Sequence, residues 1–182
     1  MVLAPLAIRG DVDLAALLDR IAHPAIYLYD NPDLSQGRSL SPDEVLPLRD
    51  RLAGIKVSAP LAAVTPWLGH LPVWVGHPDV WFALAAQRVR PAGVVMGMAN
   101  ALPSQWGEAL HHHTPGFRRL FAAYTAGTTV GGRRHTIAAA KAALVELGVI
   151  DHADVLRGTP ALSSSQLATF RAHFRALLAE SP

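Results

Sequence analysis

The chain has 182 residues, 51% of them hydrophobic and 16% charged, with a formal net charge of +2 and no cysteine. That length supports one domain with a sizeable core, and that composition excludes a disordered chain, a disulfide framework and a thiolate metal site. No apolar run reaches the ~18 residues that span a bilayer, the N-terminus lacks the basic region of a signal peptide, and the basic residues form no stripe with interleaved aromatics, so no membrane and no nucleic acid partner is expected and the cytoplasm is the default location.

Residues 2–6 read as a first strand. Asp13 stands where a helix cap would, ahead of Leu14, Leu17, Leu18 and Ile21 at helical spacing. The apolar run Ala25-Ile26-Tyr27-Leu28-Tyr29 is a second strand, and Asn31-Pro32-Asp33 with Gly37 mark a loop after it. Ser41-Pro42-Asp43-Glu44 is a capping box with proline at the first helical position, which predicts a helix to about residue 52. Residues 53–57 are a third strand, followed by a short segment over 61–68 that Pro66 interrupts. Pro72-Val73-Trp74-Val75-Gly76 is a fourth strand, and Asp79 can cap a helix to about residue 89. Residues 91–96 are a fifth strand, ending in a loop at Gly97. There the alternation stops. Helices are expected over about 104–112, 117–126, 133–147 and 165–179, with Gly148 as a C-cap for the third and a capping box of Ser163 and Gln166 before the last. That last helix carries Leu167, Phe170, Phe174, Leu177 and Leu178 on one stripe and must dock on something. Trp67, Trp74, Trp81 and Trp106 read as core or interface.

Strand and helix in regular alternation imply an α/β protein with a parallel sheet and right-handed crossovers. Five strands fall short of the eight of a closed barrel, yet no strand is followed by the Gly-rich phosphate loop of a doubly wound sheet. Periodicity leaves barrel and open sheet undecided. Lys56 and Tyr29 each lie at the C-terminal end of an apolar strand, which in a β/α barrel faces the active site. A lysine amine there is a candidate nucleophile and a tyrosine beside it a candidate proton carrier. The plainer alternatives are a lysine that snorkels to water and a core tyrosine bonded to backbone. Tyr27 shares the face of Tyr29 and reads as packing. His77, at another strand end, either contacts the distal part of a substrate or lies in solvent. His111-His112-His113 diverge around a helix and read as its end, before Thr114-Pro115-Gly116, rather than as a metal site. Arg133-Arg134 reads as solvated or ion-paired surface near a helix start.

Motifs along the chain resemble the dihydrodipicolinate synthase/N-acetylneuraminate lyase family. Tyr29-Asp30-Asn31-Pro32 resembles its Tyr-Asn-x-Pro, and Gly54-Ile55-Lys56 its Gly-x-Lys at similar spacing (56 − 29 = 27). Ala92-Gly93-Val94-Val95 with Asn100 and Pro103 is similar to its Gly-x-Ile-Ser…Asn…Pro stretch. Lys141-Ala142-Ala143-Leu144 with Gly148 resembles its late helix, and residues 155–162 its closing element. These motifs follow one another in the family's order over nearly the whole chain.

The resemblance implies a partial (β/α)8 barrel, about strands 4–8, over residues 1–103, with the final barrel helix and a C-terminal helical extension over 104–182. It implies a class I lyase or aldolase acting on a 2-oxo acid such as pyruvate. Lys56 would form the iminium and Tyr29 relay protons, while Val95, Gly76 and His77 would bind substrate. No metal or organic cofactor is implied, because the iminium itself is the electron sink. Aligned on its motifs the chain begins at the fourth barrel strand, so the loop that binds the 2-oxo acid's carboxylate and the hydroxyl that passes protons to the tyrosine fall outside it. Leu34 stands where the synthases carry an arginine, and Gly76-His77-Pro78-Asp79 where they carry Gly-Asp-Asp. The implied catalytic unit is therefore longer than this chain. The open barrel edge calls for a homo-oligomer or a partner to cover it. The alternative is a truncated, non-catalytic family member acting as an interaction or structural protein.

Overall fold

Parallel strands separated by helices form the first part of the molecule, seen in a computed structural model that describes residues 13–180 except Ala22, Gln36, His113, Gly131 and Gly132. The expected strand over residues 2–6 lies outside the described residues. The chain divides into two compact units between Val95 and Met96.

In the first unit, helix α1 (Leu14–Arg20) is capped as expected, the Asp13 carboxylate accepting from the Ala15 amide at 2.9 Å. Strand β1 is Tyr27–Asp30. Helix α2 (Pro42–Val45) opens on the capping box of Ser41 and Glu44, but it does not run to residue 52. It tightens into a 3₁₀ segment, Leu46–Arg51, because Pro47 has no N–H to continue the α-helical ladder. Strand β2 is Gly54–Val57. Helix α3 (Leu61–Val64) passes into a 3₁₀ turn, Thr65–Trp67, at Pro66 for the same reason. Strand β3 (Val73–Val75) leads to helix α4 (Pro78–Ala85), whose cap is His77 rather than Asp79: the imidazole Nδ1 accepts from the Asp79 amide at 3.3 Å. The helix stops short of residue 89, with Gln87 in the left-handed region at φ 56°. Strand β4 is only Gly93–Val94, although amides of Ala92 and Val95 carry the ladder one residue either side by donating to Val73 and Val75.

The four strands are parallel and lie in sequence order, β1-β2-β3-β4. Right-handed crossovers that always step the same way put every helix on one face. A doubly wound sheet instead reverses its order and covers both faces. The order therefore settles the question periodicity leaves open, in favour of part of a (β/α)8 barrel. Burial agrees. Leu28, Asp30, Ile55, Val57, Val73 and Val75, which alternate toward the helices, are each no more than 2% exposed. Tyr27, Tyr29, Lys56, Trp74 and Gly93 on the opposite face are all half-buried.

The second unit starts with a 3₁₀ turn, Gly97–Asn100, and holds helices α5 (Pro103–His112), α6 (Thr114–Thr125), α7 (Thr136–Glu146) and α8 (Ser164–Ala179). Two short antiparallel strands, β5 (Thr129–Val130) and β6 (Arg133–Arg134), precede α7. Arg133 and Arg134 thus pair in a ribbon instead of opening the helix, which begins at Thr136. The stripe on α8 docks as expected: Phe170, Phe174 and Leu177 are buried, and α8 packs on α6 and α7. Tyr124 stands edge-on to Trp106, Phe170 and Phe174 with centroids 5.6–6.0 Å apart, an arrangement favoured by ring quadrupoles. Burial pushes the Tyr124 hydroxyl well above the usual phenol range. Gly148 ends α7 at φ +68°, its amide bonded to Val145. Among the described residues no helix is long and apolar enough to cross a membrane.

Candidate functional site

Register builds the site. Across the sheet Tyr29 pairs with Lys56, Lys56 with Trp74, and Trp74 with Gly93. Paired residues of parallel strands project to the same side, so these four form one layer on the half-buried face. Two residues further along each strand lie Asn31, Ser58, Gly76 and Val95, the next layer on the same face and at the C-terminal ends of the strands. Amides of Ser58, Gly76 and Val95 donate to Asp30, Val57 and Val75 at 2.8–2.9 Å, which holds this second layer in register. Lys56, Tyr29, Val95 and Gly76, singled out from sequence, therefore share one face. His77 is one residue out of step, and its Nδ1 is engaged in capping α4.

Glycines on this face make room for the side chain of the preceding strand. A Cβ on Gly93 would fall 2.4 Å from the Trp74 ring, and one on Gly54 would fall 2.4 Å from the Pro72 carbonyl oxygen and 2.9 Å from the Tyr27 ring. A Cβ on Gly76 would fall 2.5 Å from Ser58 Oγ and 3.5 Å from Lys56 Cε. Tyr27, Ser58 and Trp74 thus each stand close to a glycine of the following strand. Packing of that kind fixes their rotamers on rigid elements, as a reactive constellation requires.

Lys56 Nζ lies 3.8 Å from the centroid of the Tyr29 ring, within cation–π distance. The Tyr29 oxygen accepts a hydrogen bond from Asn31 Nδ2 at 2.6 Å and another from Ser58 Oγ at 3.3 Å. Burial pushes the phenol up, but the hydrogen bonds from Ser58, Asn31 and Lys56, joined by the Lys56 charge, outweigh it and hold Tyr29 below the usual phenol range. In this setting the phenolate form of Tyr29 is favoured more than in an ordinary tyrosine.

Asn31 and Ser58 are the partners of Tyr29 that sequence reading misses: Asn31 appears there as a loop residue and as the variable position of the Tyr-Asn-x-Pro-like motif, Ser58 not at all. The signal was present in the alternation, since each lies two residues beyond a candidate, Tyr29 or Lys56. Trp74, read as core or interface, is half-buried and lies in the Lys56 layer. Among the described residues no group of three or more His, Asp or Glu is arranged to hold a metal.

No protein-family model and no curated protein matches the chain. Solved structures share its fold. Dihydrodipicolinate synthase from Agrobacterium tumefaciens str. C58 superposes with a TM-score of 0.68 at 20% identity, over 90% of this chain and 58% of that one. KD(P)GA from T. tenax does so with a TM-score of 0.65 at 22% identity, over 92% of this chain and 60% of that one. Dihydrodipicolinate synthase from Bacteroides thetaiotaomicron gives 0.64 at 19% identity, over 89% and 59%. The chain has the fold of part of these proteins and spans about three fifths of their length.

Proposed function

We propose that the chain belongs to the dihydrodipicolinate synthase/N-acetylneuraminate lyase family and carries the lysine half of a class I, Schiff-base lyase or aldolase site for a 2-oxo acid such as pyruvate. The observation that supports this most is the ammonium of Lys56 set against the ring of Tyr29, at the C-terminal ends of adjacent parallel strands. In this reading the Lys56 amine adds to the keto carbon, water leaves, and the resulting iminium accepts the electron pair when a C–C bond is broken or made. Tyr29 carries the protons. The backbone at Val95 and the space above Gly76 receive the substrate, while His77, held by its Nδ1, turns Nε2 to the substrate's distal end. A cytoplasmic location suits a chain without cysteine.

The test is borohydride reduction of the protein in the presence of pyruvate, followed by intact mass. A stable adduct that disappears in Lys56→Met supports the lyase; no adduct in a demonstrably folded protein overturns it. A second reading has its own support: the chain spans only about three fifths of the structures it resembles. It makes the chain a non-catalytic relative whose half-buried face, with Tyr27, Tyr29 and Trp74, is covered by a second copy or another protein. Loss of the trapped adduct together with a stable dimer or hetero-complex would favour it.

A further inference from the structure

Resting on that reading of Lys56 and Tyr29, we propose that Ser58 is a positioning residue which, with the Asn31 carboxamide, holds Tyr29 as the proton acceptor for Lys56. Separate observations meet at the Tyr29 oxygen. Ser58 Oγ donates to it at 3.3 Å and Asn31 Nδ2 at 2.6 Å. Lys56 Nζ lies 3.8 Å from the centroid of the same ring. Gly76 leaves the space in which Ser58 stands, since a Cβ there would fall 2.5 Å from Oγ. Among the described residues the charged group against Tyr29 is Lys56, and its hydrogen-bond partners Ser58 and Asn31 are neutral.

Forming the iminium moves two of the three protons of the Lys56 ammonium onto the keto oxygen, which leaves as water. Tyr29, acting from its phenolate form, takes the first from nitrogen and gives it to the oxygen as the amine adds to the keto carbon. It takes the second and gives it to the departing hydroxyl. Nitrogen keeps one proton and the positive charge, and Tyr29 returns to the form in which it began. Each transfer passes through the phenolate, the form that hydrogen bonds from Ser58 and Asn31 favour.

Tyrosinate absorbance, titrated for the protein and for Tyr29→Phe, isolates Tyr29 from Tyr27 and Tyr124 by difference and needs no substrate. The Tyr29 midpoint is expected below that of a free tyrosine. Ser58→Ala should raise it by about one pH unit, the size a single charge-assisted hydrogen bond supports, and Ser58→Thr should restore it. The rate of pyruvate trapping should fall about tenfold in Ser58→Ala and recover in Ser58→Thr, with the same end point. A folded Ser58→Ala protein with an unmoved midpoint overturns the role of Ser58, as does a Tyr29 midpoint at or above that of free tyrosine. An absent adduct beside a shifted midpoint overturns the lyase reading and upholds the coupling of Ser58 to Tyr29; an adduct with no shift does the reverse.

Discussion

Ile55 and Lys56 are neighbours on one strand, and they face opposite ways into opposite environments. Toward the helices, Leu28, Ile55, Val57, Val73 and Val75 are sealed, with Asp30 the one carboxylate among them. Toward the other side, Tyr29, Lys56, Trp74 and Ser58 remain half-buried, with Ser58 donating to Tyr29, Lys56 over the Tyr29 ring and Trp74 against Gly93. The sealed face carries the stability of the sheet through apolar burial. The open face is where the proposed chemistry would take place, because polar groups held at the ends of rigid strands keep access to a ligand. A single alternation of residues separates the two tasks.

That division can be broken from either side. Ile55→Ala should have the largest effect, destabilising by about 2–5 kcal/mol in denaturant titration, since it opens a cavity under the helices. Gly93→Ala comes next, at roughly 1–3 kcal/mol, because the new Cβ collides with the Trp74 ring, which is large and cannot simply rotate clear. Gly76→Ala meets only the tip of Ser58, so it should change stability little while turning that hydroxyl away and reproducing the effect of Ser58→Ala on Tyr29.

Asp30 tests the sealed face by pH. Burial raises its carboxyl above the usual range, with bonds from the Leu40 amide and Ser39 opposing in part. The folded protein therefore holds that proton more tightly than the unfolded chain does. Its contribution is complete below the ordinary carboxylate range and is lost as pH rises through the raised folded value. Asp30→Asn, which places at this position the residue of the motif Tyr-Asn-x-Pro, should flatten that dependence and stabilise the protein at neutral pH. A variant with the same pH profile as the parent would contradict the assignment. The smallest effect on stability is expected for Lys56→Met, within about 0.5 kcal/mol, because the side chain is half-exposed. A loss comparable to that of Ile55→Ala would erase the contrast between the faces.

Features decided by neighbouring residues were legible in the sequence. Asp13, the pair Ser41 and Glu44, and the pair Ser163 and Gln166 cap the helices they announce. Lys56 and Tyr29 could be placed at strand ends for the same reason, each at the close of its own apolar run. What needed distant partners was not legible. Strand order decides between barrel and open sheet, and nothing local encodes it. Arg133 and Arg134 look like a helix start until residues 129–130 pair with them. His77 takes the capping role that Asp79 could have filled, because Pro78 occupies the first helical position. Ser58 acquires meaning only when β1 brings Tyr29 beside it.

On the proposed reading the open face presents one reactive amine, and the chain supplies its own control. The sequence contains two lysines, Lys56 and Lys141. Lys141, in the second unit, donates its ammonium to the Asp154 carbonyl. Borohydride reduction with pyruvate, read by peptide-resolved mass spectrometry, should place the adduct on Lys56 and leave Lys141 unmodified. Equal labelling of the two lysines, or none on Lys56 in the folded protein, would contradict the account.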